Sequence, residues 1–483
     1  MDPQTIVIAP DGYAPGVGAL RELTWERRKT VDESLAGTEE EGFQLRRELT
    51  ALDITVLGIG VIIGAGIFVL TGNAAATEAG PGIVLSFVLA GLICVFAALC
   101  YAELAAMVPV AGSAYTFTYA TLGELVAFVI GWDLALEFIV GASAVAVGWS
   151  AYLNATLDQI FGFTLPASIS GPPAAEGGVI NLPAIAIVLV LGFLLVRGIR
   201  ITAKANLAIT GITVAVLLLV IVIGGSEVDQ DNWSPFLPFG WDGIVGGAAV
   251  VFFAYIGFDI VATTAEECRR PQRDMPIGII GSLAVCTVLY FLVAGVVTGM
   301  RPYDQLGGAA PLADAFSAVD RPYAASVVYA GALVALTNTV LILMLGQSRV
   351  AFAMARDRLF PPAVAKTHPR FGTPYRITII IMVLVSILAG FTGIDTLADL
   401  VNIGTLFAFI LVAIGVLLLR RADPDRPRPF RTPFIPVLPI VSVLLCIWLM
   451  VTLSGATWIR FIVWMVIGFF VYGLYSRHRS RVA

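Results

Sequence analysis

The stretch Gly58-Ile59-Gly60-Val61-Ile62-Ile63-Gly64-Ala65-Gly66-Ile67-Phe68 places four glycines within nine residues of an apolar run. Glycine and β-branched residues both weaken a helix, so this stretch is a poor continuous helix. Close approach of a neighbouring helix is the alternative explanation for any one of these glycines. A dinucleotide-binding fingerprint is excluded, because the spacing is GxGxxxGxG and lies inside an apolar run. The stretch therefore predicts an interruption in a long apolar helix.

The composition around this stretch is that of an all-α integral membrane protein. The chain of 483 residues is 58% hydrophobic and 13% charged, with a mean hydropathy of +0.90, which leaves too little polar surface for a soluble protein. Apolar runs of about 20 residues recur along the chain, and each is long enough to cross the hydrocarbon core as a helix. Twelve transmembrane helices are predicted, near residues 52–76, 82–108, 124–154, 180–197, 202–224, 243–267, 277–300, 323–352, 376–393, 397–419, 434–453 and 457–475.

The basic residues give these spans an orientation. With a cytosolic N-terminus, twelve spans place 26 of the 29 Lys and Arg residues on the cytosolic side, as the positive-inside rule requires. Only Arg301, Arg321 and Arg460 lie elsewhere. The sequence predicts a multi-pass protein of the cytoplasmic (inner) membrane with both termini in the cytosol.

Residues 1–45 form a distinct acidic tail with nine acids and four bases. This tail is predicted to be cytosolic and disordered, and the rest of the chain is electrically neutral. Nucleic-acid binding is not suggested by this distribution. The cysteines lie in or beside apolar runs without metal-ligand spacing, so no disulfide, metal site or cofactor is predicted. They are Cys94, Cys100, Cys268, Cys286 and Cys446.

Span six carries a counterpart of the first interruption. The stretch Phe252-Phe253-Ala254-Tyr255-Ile256-Gly257-Phe258-Asp259 places a glycine and a carboxylate in mid-membrane. Paired breaks in spans one and six fit an inverted five-plus-five repeat and point to a transporter site. The N–H and C=O groups of an unwound backbone match the carboxylate and ammonium of an amino acid. The predicted division is 46–224 for the first repeat, 243–420 for the second, and 434–483 for two extra helices and a short cytosolic C-terminus.

Five strings in the sequence carry a family resemblance. They are GIGVIIGAGIFVLTG (58–72), CYAELAAMVPVAGSAY (100–115), GWDLALEFIVGASAVAVGWSAY (131–152), FFAYIGFDIVATTAEECRRPQRDMPIGI (252–279) and GQSRVAFAMARDRLFP (346–361). The chain resembles prokaryotic members of the cationic amino acid transporter family, in the amino acid-polyamine-organocation superfamily. The resemblance implies the inverted-repeat fold of the leucine transporter, with broken helices one and six and two extra C-terminal helices.

The resemblance also implies where a substrate binds. The carboxylate of the substrate is expected to meet the backbone of residues 63–67, and its ammonium group the carbonyls of residues 62, 253, 254 and 256. The aromatic residues of the second interruption are expected to gate the site or to line a side-chain pocket. The predicted substrate-binding residues are Ile62, Ile63, Gly64, Ala65, Gly66, Ile67, Phe253, Ala254, Tyr255, Ile256, Gly257 and Phe258.

Acids inside the membrane are costly, which makes them functional candidates. Glu137 and Asp259 lie deep in their spans, where they either orient the site or hold helices together. Glu103, Glu266 and Glu267 lie near cytosolic ends and are predicted structural acids that also latch an inner gate. The arginines expected beside them are Arg269, Arg270 and Arg273.

The sequence leaves the coupling ion open between sodium and a proton. Proton-coupled members of the family that the chain resembles carry a lysine in span five, where this sequence has Thr213. Thr337 and Asn338 of span eight, with carbonyls near Ile59 and Ile62, are candidate sodium ligands. If these side chains only pack, the protein is instead an uncoupled exchanger or facilitator.

These features favour an amino acid permease, a secondary transporter that works by alternating access. An amino acid-sensing receptor with a transporter fold is the alternative, and it would bind its ligand without flux. An intramembrane enzyme is disfavoured, because the spans hold no metal cluster and no nucleophile beside a base. The predicted partners are an amino acid and the lipid bilayer, and the sequence determines neither which amino acid nor the oligomeric state.

Overall fold

The computed structural model describes residues 47–110, 112–198 and 203–480. The acidic tail predicted for residues 1–45 therefore lies outside the described residues. Within those ranges the chain is helical and has no β-strand, only two isolated β-bridges. The longer helices are α1 (Ala51–Ile62), α2 (Ile83–Met107), α3 (Glu124–Phe161), α4 (Leu182–Val196), α5 (Ala203–Gly225), α6 (Gly240–Val251), α7 (Pro271–Met300), α8 (Pro322–Arg356), α9 (Tyr375–Phe391), α10 (Ile394–Ala422), α11 (Val437–Thr452) and α12 (Gly455–Val471).

Short helical segments extend or connect these helices. Those that follow α1 are Gly66–Leu70, Thr71–Ala74, Ala75–Ala79 and Gly80–Gly82. Those that follow α6 are Phe252–Tyr255, Phe258–Ala262 and Ala265–Glu267. The others are Ala114–Thr121, Ala167–Ser170, Gln230–Trp233, Tyr303–Gln305, Pro311–Ala318, Tyr472–Ser476 and Arg477–Arg479.

Eight helical runs in the described part of the chain are long and apolar enough, by length and composition, to cross a membrane. The first of them, Ala51–Met107, contains both α1 and α2, while α4, α9 and α11 are shorter apolar helices. Large apolar side chains are exposed on the outside of the bundle, including Val222 (72% exposed) and Phe470 (66% exposed). Such a surface suits lipid rather than water.

The helices pack in a regular pattern of pairs. The most extensive contacts join α3 with α8 and α2 with α7, and α4 packs closely on α9. Contacts between α1 and α7 are matched by contacts between α6 and α2. Contacts between α3 and α10 are likewise matched by contacts between α8 and α5. The last two pairs of contacts therefore correspond when each helix number is exchanged for the number five higher or lower.

Regular helical hydrogen bonding stops at the end of α1. Ile63, the residue after α1, has an extended backbone (φ −75°, ψ 91°), and its N–H still donates to the Ile59 carbonyl. A wide π-helical turn then begins at Gly66. The interruption falls within the glycine-rich stretch that the sequence singles out.

The chain changes direction in the same way after α6. The turn Phe252–Tyr255 is followed by Ile256, which is extended (φ −65°, ψ 138°), and by Gly257 with φ 121°. That positive φ favours glycine, and a Cβ atom at this position would also lie 3.0 Å from the Val61 side chain. Helix Phe258–Ala262 then continues the chain.

Backbone hydrogen bonds join the segment before α1 to the segment after Phe258–Ala262. The N–H groups of Glu48 and Leu49 both donate to the Glu267 carbonyl, at 2.9 and 3.0 Å. The Arg269 N–H in turn donates to the Leu49 carbonyl at 2.9 Å. Main-chain hydrogen bonds thus connect the start of the first interrupted region to the end of the second.

Candidate functional site

The two interruptions meet at Gly66 and Ala254. A Cβ atom built on Gly66 would lie 2.2 Å from the Ala254 Cα and 2.7 Å from its backbone nitrogen. Real Cβ atoms do not approach backbone so closely, so only glycine allows this contact. The sequence singles out this glycine, and the structure shows that it faces the backbone of the second interruption.

Tyr290 of α7 connects the same two segments. Its hydroxyl lies 2.8 Å from the Ile62 carbonyl and 2.9 Å from the Ala254 carbonyl. A hydroxyl has one proton, so it donates to only one of these two oxygens at a time. The other carbonyl keeps an unused acceptor position, which a substrate ammonium group can fill. Sequence reasoning missed Tyr290, because nothing in the sequence places α7 against both interruptions.

We expect Tyr290→Phe to weaken substrate binding roughly fivefold to tenfold, since a neutral hydrogen bond contributes about 1 kcal/mol net. The loss follows because the hydroxyl fixes the two carbonyls in position. Equilibrium binding of a labelled amino acid to the purified protein measures the change. Tyr323→Phe removes a hydroxyl from a residue that is 90% exposed and is the matched control. Equal affinities for the two variants would contradict this role for Tyr290.

The predicted substrate-binding residues are all buried, but they do not all face the same way. Phe253 and Ile256 retain 6% and 7% exposure, more than the other apolar members of the set. The Tyr255 hydroxyl donates to the Phe87 carbonyl of α2 at 2.8 Å. The Phe258 ring packs against Phe409 with ring centroids 5.0 Å apart. Tyr255 and Phe258 therefore hold the second interruption against its neighbours.

A polar cluster lies where α1, α5 and α8 meet at Gly60. A Cβ atom on Gly60 would lie 2.5 Å from Thr210 Oγ1 and 3.0 Å from Asn338 Nδ2, so only glycine lets these groups gather. Asn206 Oδ1 lies 3.6 Å from the same point. The amide oxygens of Asn206 and Asn338 are buried and have no hydrogen-bond partner in the part of the chain that the structure describes. Carbonyl and amide oxygens of this kind are suitable sodium ligands beside an interrupted helix.

The structure places Thr339, and not Thr337, on the face of α8 that meets α1. The Thr339 hydroxyl lies 3.2 Å from the Ile63 carbonyl. Thr337 instead donates to Leu333 and accepts from the Trp149 indole of α3 at 3.0 Å. Successive helical residues point about 100° apart, so residues two apart point in nearly opposite directions. Asn338 is directed to α1 as the sequence suggests, with its Nδ2 3.4 Å from the Gly60 carbonyl.

The other two coupling candidates have local partners. The Thr213 hydroxyl donates to the Ile209 carbonyl one turn earlier in α5, at 3.1 Å. Ile59 contributes its carbonyl to the hydrogen bond that ends α1. Thr213 is 2% exposed and shares a helix face with Thr210 and Asn206, so its side chain lies on the inner side of α5.

Three buried carboxyl groups lie deeper in the bundle. Asp133 and Glu137 are on α3 and Asp259 is in the helix that follows the second interruption, and none is more than 1% exposed. Among the described residues, their carboxyl oxygens have no hydrogen-bond partner, and neither has the Tyr101 hydroxyl of α2. Glu137 lies close enough to Asp259 for their charges to interact. These carboxyl groups are candidates for proton coupling, because acids inside a membrane are costly and are commonly functional.

The acids near the helix ends form ion pairs with arginines distant in sequence. Both oxygens of Glu103 accept from the Arg420 guanidinium, at 2.9 and 2.7 Å. Glu267 pairs with Arg349 at 2.5 Å and Glu266 lies 3.9 Å from Arg356. The expected partners Arg269, Arg270 and Arg273 were wrong for these carboxylates. The pairs are made between helices, whereas the sequence shows only neighbours along the chain.

Metal-binding and thiol chemistry find little support in the described ranges. No group of three or more His, Cys, Asp or Glu side chains there is placed to hold a metal ion. All five cysteines are buried and free of disulfide bonds.

This bundle of apolar helices around two interruptions is typical of a multi-pass membrane transport protein. The sequence model of the amino acid permease family matches residues 49–471. The chain belongs to this family. The predicted membership of the amino acid-polyamine-organocation superfamily is confirmed, and the chain's relatives are transporters rather than enzymes.

Three relatives illustrate how far the similarity extends. The chain is 46% identical over 454 residues to the methylthioribose transporter of Bacillus subtilis (strain 168), covering 94% of this chain and 98% of the relative. It is 45% identical over 460 residues to the branched-chain amino acid permease BcaP of the same organism, with the same coverage. It is 40% identical over 429 residues to the vacuolar cationic amino acid transporter 2 of Arabidopsis thaliana, covering 87% of this chain and 66% of the relative.

Proposed function

We propose that this permease carries neutral amino acids across the cytoplasmic membrane by alternating access, with the substrate bound between the two interruptions. The observation that carries the proposal is the pair of interruptions in contact at Gly66 and Ala254, with backbone groups exposed to each other in an apolar interior. The N–H groups that begin a helical segment suit the substrate carboxylate. The carbonyls of Ile62 and Ala254, which share one hydroxyl donor, suit its ammonium group.

The proposed architecture is twelve spans in an inverted five-plus-five repeat with broken helices one and six. The run Ala51–Met107 supplies two spans, the seven other candidate runs one each, and α4, α9 and α11 the remaining three. The matched contacts support the repeat, because a two-fold axis in the membrane plane pairs each helix with the one five places later. Residues 46–224 and 243–420 are then the two repeats, and 434–483 holds the two extra helices.

The proposed orientation has both termini in the cytosol of the cell, with the protein in the cytoplasmic membrane. It rests on the distribution of Lys and Arg, 26 of which fall on the side of the termini. The ion pairs of Glu103, Glu266 and Glu267 then lie on the cytosolic side, where they hold the inner entrance closed.

The apolar surroundings favour a small neutral side chain on the substrate. Phe253 and Ile256 are the partly exposed residues of the second interruption, and Ile59 of α1 retains 8% exposure. These side chains offer hydrophobic contact and no charge to pair with a cationic substrate. The similarity to a branched-chain amino acid permease agrees with this choice.

Uptake into proteoliposomes tests both the function and the coupling ion. We expect purified protein to take up labelled leucine, valine or alanine, and unlabelled substrate to exchange for it across the membrane. Binding without exchange would instead identify a receptor. Uptake of methylthioribose with none of any amino acid would overturn the amino acid proposal. Uptake is then measured under a sodium gradient and, separately, under a proton gradient. Dependence on sodium would assign coupling to the oxygen cluster at Gly60, and dependence on protons would assign it to the buried carboxyl groups around Glu137. Indifference to both identifies an exchanger or facilitator.

A further inference from the structure

A second site lies far from the interruptions, between the end of α8 and the end of the chain. The loop after α8 and the helical turns that extend α12 enclose a cavity of about 880 Å³. Thr367, Tyr475 and Ser480 are among its lining residues, and five others are basic. The residues concerned are Arg356, Arg358, Lys366, His478 and Arg479.

The positive charge in this cavity is poorly neutralised. No acid lines it, and within the described ranges Arg358, Lys366 and Arg479 make no ion pair. Arg356, whose side chain is 9% exposed, has Glu266 3.9 Å away, beyond hydrogen-bond distance, and its Nε has no hydrogen-bond partner among the described residues. A buried guanidinium with an unused donor is costly, so an anion in the cavity would be stabilised.

Two acids beside residues that line the cavity have other partners. Glu124 accepts from the hydroxyls of Ser480 and Tyr472, at 2.5 and 3.1 Å. Asp357 accepts from the Tyr115 hydroxyl at 2.7 Å. The hydrogen bonds named here are made with hydroxyl groups and not with the basic side chains that line the cavity.

We propose that this cavity binds the phosphate group of an anionic phospholipid in the cytosolic leaflet. Guanidinium and ammonium groups are the usual ligands of phosphate, and basic pockets at the cytosolic side of membrane helices bind lipid headgroups. A lipid can reach it, because Tyr475 lines the cavity while its neighbour Leu474 is 81% exposed on the apolar surface. The placement in the cytosolic leaflet rests on the orientation given under the proposed function.

A bound headgroup would connect two parts of the protein that the chain does not join directly. Arg356 and Arg358 continue from α8, which carries Asn338 and Thr339 of the oxygen cluster, and Arg479 ends the extension of α12. The phosphate would hold the cytosolic end of α8 against the end of the chain. Anionic lipid is therefore expected to raise the melting temperature of the protein, as any ligand that binds only the folded state does.

The test is lipid binding to the full chain without substrate, measured by native mass spectrometry in detergent. We expect phosphatidylglycerol to bind at least about tenfold more tightly than phosphatidylcholine, and R358Q/K366Q/R479Q to lose that preference. The matched control is R269Q/R270Q/R273Q, which removes the same charge from exposed arginines at the start of α7. Equal preference in the two triple variants, or none in the unaltered protein, overturns the proposal.

Two further measurements distinguish the possible sources of the anion. Inorganic phosphate at millimolar concentration should not displace phosphatidylglycerol, and displacement would assign the cavity to a soluble anion instead. Phosphatidylglycerol binding that appears only after Glu39, Glu40 and Glu41 are replaced by glutamine would assign the cavity to the acidic tail. Because no substrate is present, failure of this test leaves the transport proposal intact, and failure of transport leaves lipid binding intact.

Discussion

Gly66→Ala is expected to abolish amino acid uptake, with at least about a hundredfold lower initial rate in proteoliposomes. The added methyl group would lie 2.2 Å from the Ala254 Cα, and backbone cannot rotate away as a side chain can. The two interruptions must therefore separate, which disturbs the carbonyls and N–H groups that the substrate bridges. Binding of labelled substrate to the purified variant should fall together with uptake.

Two other glycines provide the comparison for this variant. Gly211 of α5 has no atom within 4 Å of an added Cβ, so Gly211→Ala should transport normally. At Gly64 the added atom would lie 3.1 Å from Thr339 Cγ2, a side-chain atom that can shift, so Gly64→Ala should retain part of the uptake. Size-exclusion chromatography confirms that each variant is folded. A folded Gly66→Ala protein with normal uptake would show that the substrate binds elsewhere.

Glu103→Gln is expected to destabilise the protein by about 3 kcal/mol, because breaking a buried ion pair leaves a charge without its partner. Glu103 is 1% exposed on its side chain, and it accepts from Arg420, from the Thr432 backbone at 2.7 Å, and lies 3.5 Å from Arg428. The neutral amide cannot offset these two guanidinium groups. Thermal unfolding in detergent should show a melting temperature lower by several degrees.

The control for Glu103→Gln is the ion pair between Glu227 and Arg321. Their side chains are 22% and 56% exposed, so solvent screens the pair, and Glu227→Gln should cost less than about 1 kcal/mol. Removing the opposite charge as well, in Glu103→Gln/Arg420→Gln, should recover part of the lost stability. Equal melting temperatures for Glu103→Gln and Glu227→Gln would show that the buried pair contributes little.

The sequence predicts the apolar spans well and their ends less well. The run expected at 124–154 continues as helix to Phe161, and the run expected at 323–352 continues to Arg356. Hydropathy detects only the part of a helix that lies in lipid, and a helix that extends into water loses the signal before it ends. The interruptions are different, because glycine content reports local backbone preference, which needs no knowledge of the fold.

The finer features of the site depend on helix rotation and on distant partners. The choice between Thr337 and Thr339 requires the rotation of α8, and that helix is buried on most sides, so its hydrophobic pattern has no clear outer face. Asn206 and Thr210 become significant only when α5 is packed beside Gly60. The partner of Glu103 is 317 positions away in the chain. A single sequence contains no signal for such a pairing.

The main-chain contacts between the segment before α1 and the residues after helix Phe258–Ala262 have a mechanical consequence. The N–H groups of Glu48 and Leu49 donate to the Glu267 carbonyl, and the Arg269 N–H donates to the Leu49 carbonyl. These three hydrogen bonds do not depend on side-chain identity. Under the proposed function, we expect α1 and the helix Phe258–Ala262 to move together when the inner entrance opens. The two interruptions would then serve both as the hinge of this motion and as the proposed binding site.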